Sequence, residues 1–233
     1  MTLLLFGAGS LRAAPVEVTD LRPVAEDAKD PQSPKAIAAR IEALAGHHFR
    51  QWTEEVGLSY PPNEVELRVY KEERETEIWG RNRSGRTKPG AWRRIATLPV
   101  CAVDREAGTK LRQGDGKTPE GTYRARALYP SRNFWMWMKL DPDGIDAQGI
   151  PGVGSAFRLC LDYPSPADRA RSRAAGYSNP GGGICLHGNC VTAGCVSFSN
   201  RNFIAVFAFS AHHDARSFGA MRVHISPNRK SAK

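Results

Sequence analysis

Three observations predict a mainly β protein with a few helices, the α+β class. Short segments alternate apolar and polar residues, most clearly Val65–Tyr70. Glycine and proline clusters divide them, as at Tyr60-Pro61-Pro62 and within Gly108–Tyr123. Helical periodicity shows near the two ends, after Ser33-Pro34 and over Asn200–His212.

The elements follow in order. Met1–Gln32 reads as a signal-peptide remnant and flexible linker: Leu3–Ala8 is apolar, Ala13-Ala14 offers a cleavage site, and the basic leader is missing. Val16–Gln32 is rich in Pro, Asp and Glu and has no period. A helical extension is expected over 33–58, with Ser33 as cap, Pro34 at the first helical position, and Ile37, Ile41 and Leu44 on one face. His47-His48 point different ways on such a helix and read as a solvated end. Val65–Tyr70, Glu75–Trp79 and Trp92–Leu98 predict three strands. Between the last two, Arg81–Arg94 carries six basic residues and no acid, flanked by Trp79 and Trp92. That composition suits a nucleic-acid or anionic-glycan patch, but a solvated hairpin loop explains it more simply.

Gly108–Tyr123 (GTKLRQGDGKTPEGTY) is a tight, ordered loop. It is not a phosphate-binding loop, because no GK[ST] stands at the required spacing. Phe134–Leu140 is aromatic and strand-like, with core packing its expected role. Phe157–Leu161 predicts a strand. Ser165–Gly176 carries Arg169, Arg171 and Arg173. Asn200 is the expected cap of the second helix, whose inner face holds Phe203, Val206 and Phe207. Met221–Ile225 is the last strand, and 228–233 a polar basic tail.

The 233 residues suit one domain with extensions. A net charge of +9 and a pI near 9.6 imply a polyanionic partner: nucleic acid, anionic lipid or cell-wall polymer. No run approaches the roughly 20 apolar residues of a membrane span. Five cysteines, Cys101, Cys160, Cys185, Cys190 and Cys195, allow two disulfides and one free thiol, and three pairings if Cys195 is free. Cys101, Cys160 and Cys185 read equally well as small buried hydrophobes in strands.

The segment Gly181–Phe198 (GGGICLHGNCVTAGCVSF) carries the chemistry. His187 follows a short apolar run, and Cys195 stands eight residues on, after Gly194. A cysteine nucleophile needs a base, backbone N–H groups for the oxyanion, and room for a carbonyl. His187 supplies the first, the Thr192-Ala193-Gly194-Cys195 turn the second, and Gly188 and Gly194 the third. On this reading Cys195 needs a lowered pKa, and the carbonyl of Gly188 or Asn189 holds the other ring nitrogen of His187. Two other readings compete. Cys185, His187, Cys190 and Cys195 are four zinc ligands in eleven residues, though without the usual two separated pairs. Plain burial of cysteines and a core histidine is the third.

His187-Gly188 followed by Thr192-Ala193-Gly194-Cys195 resembles the active-site motif of L,D-transpeptidase (YkuD-type) catalytic domains, most closely the YafK-like subgroup. Many members carry a histidine where Ala193 stands and an arginine where Ser197 stands. The Gly-Asp and Pro-Glu-Gly-x-Tyr residues of Gly114–Tyr123, and Tyr163-Pro164 with Asp168-Arg169-Ala170, resemble further segments of that family. The resemblance spans 59–227. It implies a mixed β-barrel or sandwich and a Cys195 nucleophile with His187 as base. It further implies a turn of Thr192, Ala193, Gly194, Gly188 and Asn189 around the oxyanion, with Tyr163 and Arg169 facing substrate. The implied substrate is a peptidoglycan stem peptide, with a wall-anchored lipoprotein as a further partner, in the periplasm or cell envelope. No cofactor, metal or nucleic acid is expected. An amine acceptor makes the protein a transferase. Water makes it an amidase or carboxypeptidase by the same cysteine mechanism. A non-catalytic wall- or nucleic-acid-binding protein is the alternative from another class.

Overall fold

The computed structural model describes residues 15–16, 34–84, 88–130, 157–211 and 221–232. The expected features at Met1–Ala14 and Phe134–Leu140 lie outside them. The first helix among the described residues is α1 (Pro34–Glu55). Ten strands among the described residues follow: β1 (Glu64–Tyr70), β2 (Glu75–Arg81), β3 (Arg83–Ser84), β4 (Lys88–Pro89), β5 (Arg93–Pro99), β6 (Gly121–Pro130), β7 (Phe157–Leu161), β8 (Cys185–His187), β9 (Val196–Ser197) and β10 (Arg222–Ser226). Helix α2 (Pro166–Ala174) lies between β7 and β8, and α3 (Asn200–Ala211) between β9 and β10.

Eight strands form one sheet in the order β5-β2-β1-β10-β6-β7-β8-β9. β1 runs parallel to β10, and β8 to β9; the other neighbours are antiparallel, so the sheet is mixed. The sheet also curls. Ala102, just past β5 at one end, bridges Ser197 of β9 at the other. Ser197 N–H donates to the Ala102 carbonyl at 2.8 Å, and the Cys101 N–H donates to the Ser197 carbonyl at 2.9 Å. The Cys101–Cys190 disulfide fastens the same seam. The expected mixed barrel is therefore a sheet whose two ends meet.

Val65, Leu67 and Val69 alternate inward from β1, and α3, buried from Asn202 to Ser210, fills the core with Phe203, Val206, Phe207 and Phe209. A helix apolar all round belongs inside. Ile41, Ala45 and Phe49 of α1 pack on it, with Phe49 edge-on to Phe209 at 5.6 Å. Ser199, not Asn200, caps α3: its Oγ accepts from Asn202 N–H at 3.2 Å. The β6 and α2 elements were not expected. β6 alternates through small alanines. α2 is polar, and its clearest signal is a capping box from Ser165 to Asp168.

The outer face of β1, β2 and β5 is polar and internally matched. Glu77, buried, accepts from Tyr70 Oη, Trp79 Nε1 and Arg94, and pairs with Arg229. The expected basic tail thus folds back, and the Arg229 guanidinium sits over the Tyr70 ring at 4.3 Å. In the basic loop, Arg81 pairs with Glu64 and stacks on Trp92 at 4.5 Å, and Arg83 pairs with Glu64 too. A cleft of about 770 Å³ lies on this face, lined by Arg68, Tyr70, Glu77 and Trp79. Most of its charged groups already hold one another.

Lys71, in the β1–β2 turn, is only 1% exposed. Its ammonium reaches Asp104, Glu120 and the carbonyls of Glu106 and Gly108, all at 3.0–3.3 Å. It therefore ties the 104–120 loop to the sheet. Removing one partner of a buried ionic cluster strands the rest. Lys71→Met is expected to lower stability by about 3 kcal/mol, read as a reduced midpoint in urea unfolding at unchanged slope.

Candidate active site

The register of β7, β8 and β9 sets the site. Leu159, Leu186 and Val196 are each 0% exposed and point into the core. Leu159 opposes Leu186, and Leu186 opposes Val196. Their chain neighbours therefore share the other face. Arg158 opposes His187, which opposes Ser197. Cys160 opposes Cys185, and one step back along β9 brings Cys195 beside Cys185. His187 and Cys195 thus lie in adjacent rows of one face, within side-chain reach at the spacing of neighbouring strands.

The cysteines sort themselves. Cys160 pairs with Cys185, and Cys101 with Cys190. Cys195 is the free thiol. Two of the four candidate zinc ligands, Cys185 and Cys190, thus have no thiolate to offer a metal. Among the described residues, no group of three or more His, Cys, Asp or Glu could hold a metal ion.

His187 is oriented as the catalytic reading requires. Its Nδ1 lies 2.6 Å from the Gly188 carbonyl, which fixes that nitrogen as the donor and leaves Nε2 unprotonated. The same carbonyl accepts from the Ser197 hydroxyl at 2.8 Å. Ser197 is fully buried. The sequence marked it only as a departure from the family pattern, yet it anchors the carbonyl that orients His187.

Burial lowers the pKa of His187, the Gly188 bond opposes that, and the charge of Arg158 adds to the lowering. Burial pushes the Cys195 thiol up, against its bond from the Cys185 N–H and the charges of Arg158 and Lys110. This corrects the expected lowered thiol: the resting pair is neutral thiol and neutral imidazole. Cys195 Sγ also lies 3.7 Å from the Gly183 carbonyl.

The turn is braced internally. Thr192 Oγ1 donates to the Cys195 carbonyl at 2.6 Å and accepts from Gly194 N–H at 3.0 Å. Asn189 N–H donates to Asn200 Oδ1 at 3.0 Å. The Gly194 and Asn189 N–H groups are therefore taken, and those of Ala193 and Cys195 remain as donors for an oxyanion. Gly194 adopts φ 122°, and a Cβ there would stand 2.7 Å from the Lys117 carbonyl oxygen. No other residue fits.

Lys117 belongs to the Gly108–Tyr123 loop, which wraps around Asp115. Burial opposes ionisation of Asp115, but the Arg112 N–H, the Lys110 ammonium and the N–H groups of Leu111 and Lys117 outweigh it and hold its pKa at about 2. Tyr163 and Arg169, expected to face substrate, are tied to nearby backbone carbonyls. Tyr163 is buried, and its hydroxyl donates to the Pro180 carbonyl at 3.0 Å. Arg169 donates to the Pro164 carbonyl at 2.5 Å, and lines a cleft of about 290 Å³ with Arg173, Asn179 and Gly181. Both brace the approach to β8. The sequence missed Arg158, Lys110 and Ser197. For Arg158 and Ser197 the missing knowledge was strand register, and for Lys110 the folded path of the loop.

No family model matches the chain. Over 163 residues, 70% of its length, it is 28% identical to a curated protein of Escherichia coli (strain K12) named "Putative L,D-transpeptidase YafK", and equally to its counterpart in Escherichia coli O157:H7. The chain spans about half the length of the curated relatives it matches, 52%. Among solved structures, a variant of the helical cell shape determining protein Pgp2 from Campylobacter jejuni aligns with TM-score 0.49 and 20% identity, covering 78% of this chain and 56% of that one. L,D-transpeptidase 3 from Mycobacterium tuberculosis aligns with TM-score 0.31 and 12% identity, covering 70% and 60%. The architecture is α+β, a mixed eight-stranded sheet with helices packed on it. In sequence, the chain is similar to putative L,D-transpeptidases.

Two outcomes follow from the geometry. Gly194→Ala is expected to destabilise the protein by more than about 1 kcal/mol and to slow alkylation of Cys195, measured by iodoacetamide uptake on intact mass. Because His187 titrates below its usual value of about 6.5 and Cys195 above about 8.5, wild-type alkylation at pH 7 should be slower than for a free cysteine peptide. Its rate should rise to a plateau with a midpoint above pH 8.5.

Proposed function

We propose that the protein is a peptidoglycan-modifying cysteine acyltransferase, an L,D-transpeptidase acting on murein stem peptides. The observation that carries this reading is the Ser197–Gly188–His187 chain of hydrogen bonds, which leaves Nε2 of His187 unprotonated on the sheet face that bears the free thiol. Cys195 gives its proton to His187 as its sulfur bonds to the carbonyl carbon of a diamino-acid residue. The N–H groups of Ala193 and Cys195 hold the oxyanion. The C–N bond then breaks, and His187 returns the proton to the leaving amine. An acceptor amine attacks the thioester, loses a proton to His187, and frees Cys195.

With water as acceptor the same groups make an amidase or carboxypeptidase. Exposed Thr192 and Ala193 leave the thiol's surroundings open to solvent and favour this as the second reading. Two disulfides suit an oxidising compartment, which supports the periplasm or cell envelope. Among the described residues no helix is long and apolar enough to cross a membrane. A wall-anchored lipoprotein remains a proposed partner of the hydrolytic reading. The paired arginines of the basic loop weigh against nucleic acid.

The test uses wild type and Cys195→Ala with defined muropeptides, with and without an added D-amino acid, read by mass. Exchange or dimer formation that vanishes in the variant is the expected result. Uptake of water that vanishes in the variant assigns the hydrolase instead. Equal activity in both proteins overturns the cysteine mechanism.

A further inference from the structure

Arg158 is a side chain of the site that neither reading uses. It opposes His187 across the β7–β8 ladder and shares the face of Cys195. Leu159, its neighbour, is fully buried on the core side, so the direction of Arg158 is fixed by the pleat. The side chain is half-buried, and its Nε is buried without a hydrogen-bond partner. Among the described residues no carboxylate pairs with it. Other cations near the site are matched: Lys71 by Asp104 and Glu120, Lys110 by Asp115, and Arg171 by Asp168.

A guanidinium withdrawn from water without a partner is unfavourable, and an anion that completes its bonds is held firmly. Cys195 does not supply that anion, since burial keeps it a neutral thiol at neutral pH. An anion carried by the substrate would complete those bonds.

We propose that Arg158 is a substrate-binding residue whose guanidinium takes a free carboxylate of the acyl donor, beside the carbonyl that Cys195 attacks. The proposal rests on the acyl-transfer reading and narrows it. The donor is a peptide with an ionised carboxylate within about one residue of the scissile bond. A planar two-oxygen anion matches the guanidinium fork, and an amide in its place leaves the fork half empty.

Two small alkylating agents test this without any peptide. Iodoacetate carries a carboxylate two atoms from the sulfur it reaches, and iodoacetamide carries the neutral amide. Cys195 is the free thiol, so intact mass reports one site. Any change in its ionisation scales both rates, and their ratio isolates the carboxylate. Arg158→Gln is expected to lower the iodoacetate-to-iodoacetamide ratio by about tenfold, as for loss of a charged hydrogen bond. Arg158→Lys keeps the charge, loses the fork, and falls between. Arg93→Gln, an exposed arginine on β5, controls for net charge and leaves the ratio unchanged. A ratio unchanged in Arg158→Gln, or lowered equally by Arg93→Gln, overturns the proposal. Where Arg158→Gln fails to fold, Arg158→Lys decides by the same ratio.

The peptide arm compares stem peptides ending in a free carboxylate or a carboxamide. Arg158→Gln should abolish the wild-type preference for the carboxylate while retaining turnover of the amide. Equal losses on both peptides overturn the proposal. If no stem peptide turns over in wild type, the acyl-transfer reading fails, and the alkylation ratio still decides whether Arg158 receives a carboxylate.

Discussion

Ser197 is held from every side, and the rest of the structure depends on that. Its backbone closes the sheet against Ala102, its neighbour Val196 registers β9 on β8, and its hydroxyl fixes the Gly188 carbonyl. One buried residue therefore couples closure of the fold to the tautomer of His187. A strand of two residues has little hydrogen-bonding of its own. The Cys101–Cys190 disulfide and the Asn189–Asn200 bond hold what β9 cannot. The helix that follows at once, α3, is buried in the core and fixes the far end.

The loops around this strand are organised by isolated ionic hubs rather than apolar packing. Lys71 grips the 104–120 loop from below, and Asp115 gathers its tip. Asp168, fully buried, ties α2 to Tyr123 and Ser165. The loop so held presents the Lys117 carbonyl to Gly194, which is why the turn before Cys195 has its shape. Each hub sits in poorly solvated surroundings where a broken partnership is costly. The positioning of a small thiol is thus spread over charges many residues away.

The strand pairs β1–β2 and β7, the helices α1 and α3, and the short segment that sets Cys195 near His187 were legible because period and spacing are local properties of a sequence. β6 hid behind alanines, whose alternation is faint. α2 hid because its buried side chains are Asp168 and Ser172, so it has no apolar stripe. The disulfide pairing could not be read, since three pairings fit one composition and only register selects. Register likewise brought Arg158 and Ser197 to the site. Thiol ionisation was misjudged because the sequence shows the groups that favour a thiolate, such as a nearby base, but not the burial that opposes it.

The meeting of the sheet's two ends also has a consequence for self-association. An open sheet presents unpaired N–H and C=O groups that template a neighbouring chain. Here the strip past β5 covers β9, so the strand next to Cys195 is not free to recruit another strand. The protein can hold the Thr192–Cys195 turn near its surface without offering the backbone of the strand that follows as a seed for aggregation.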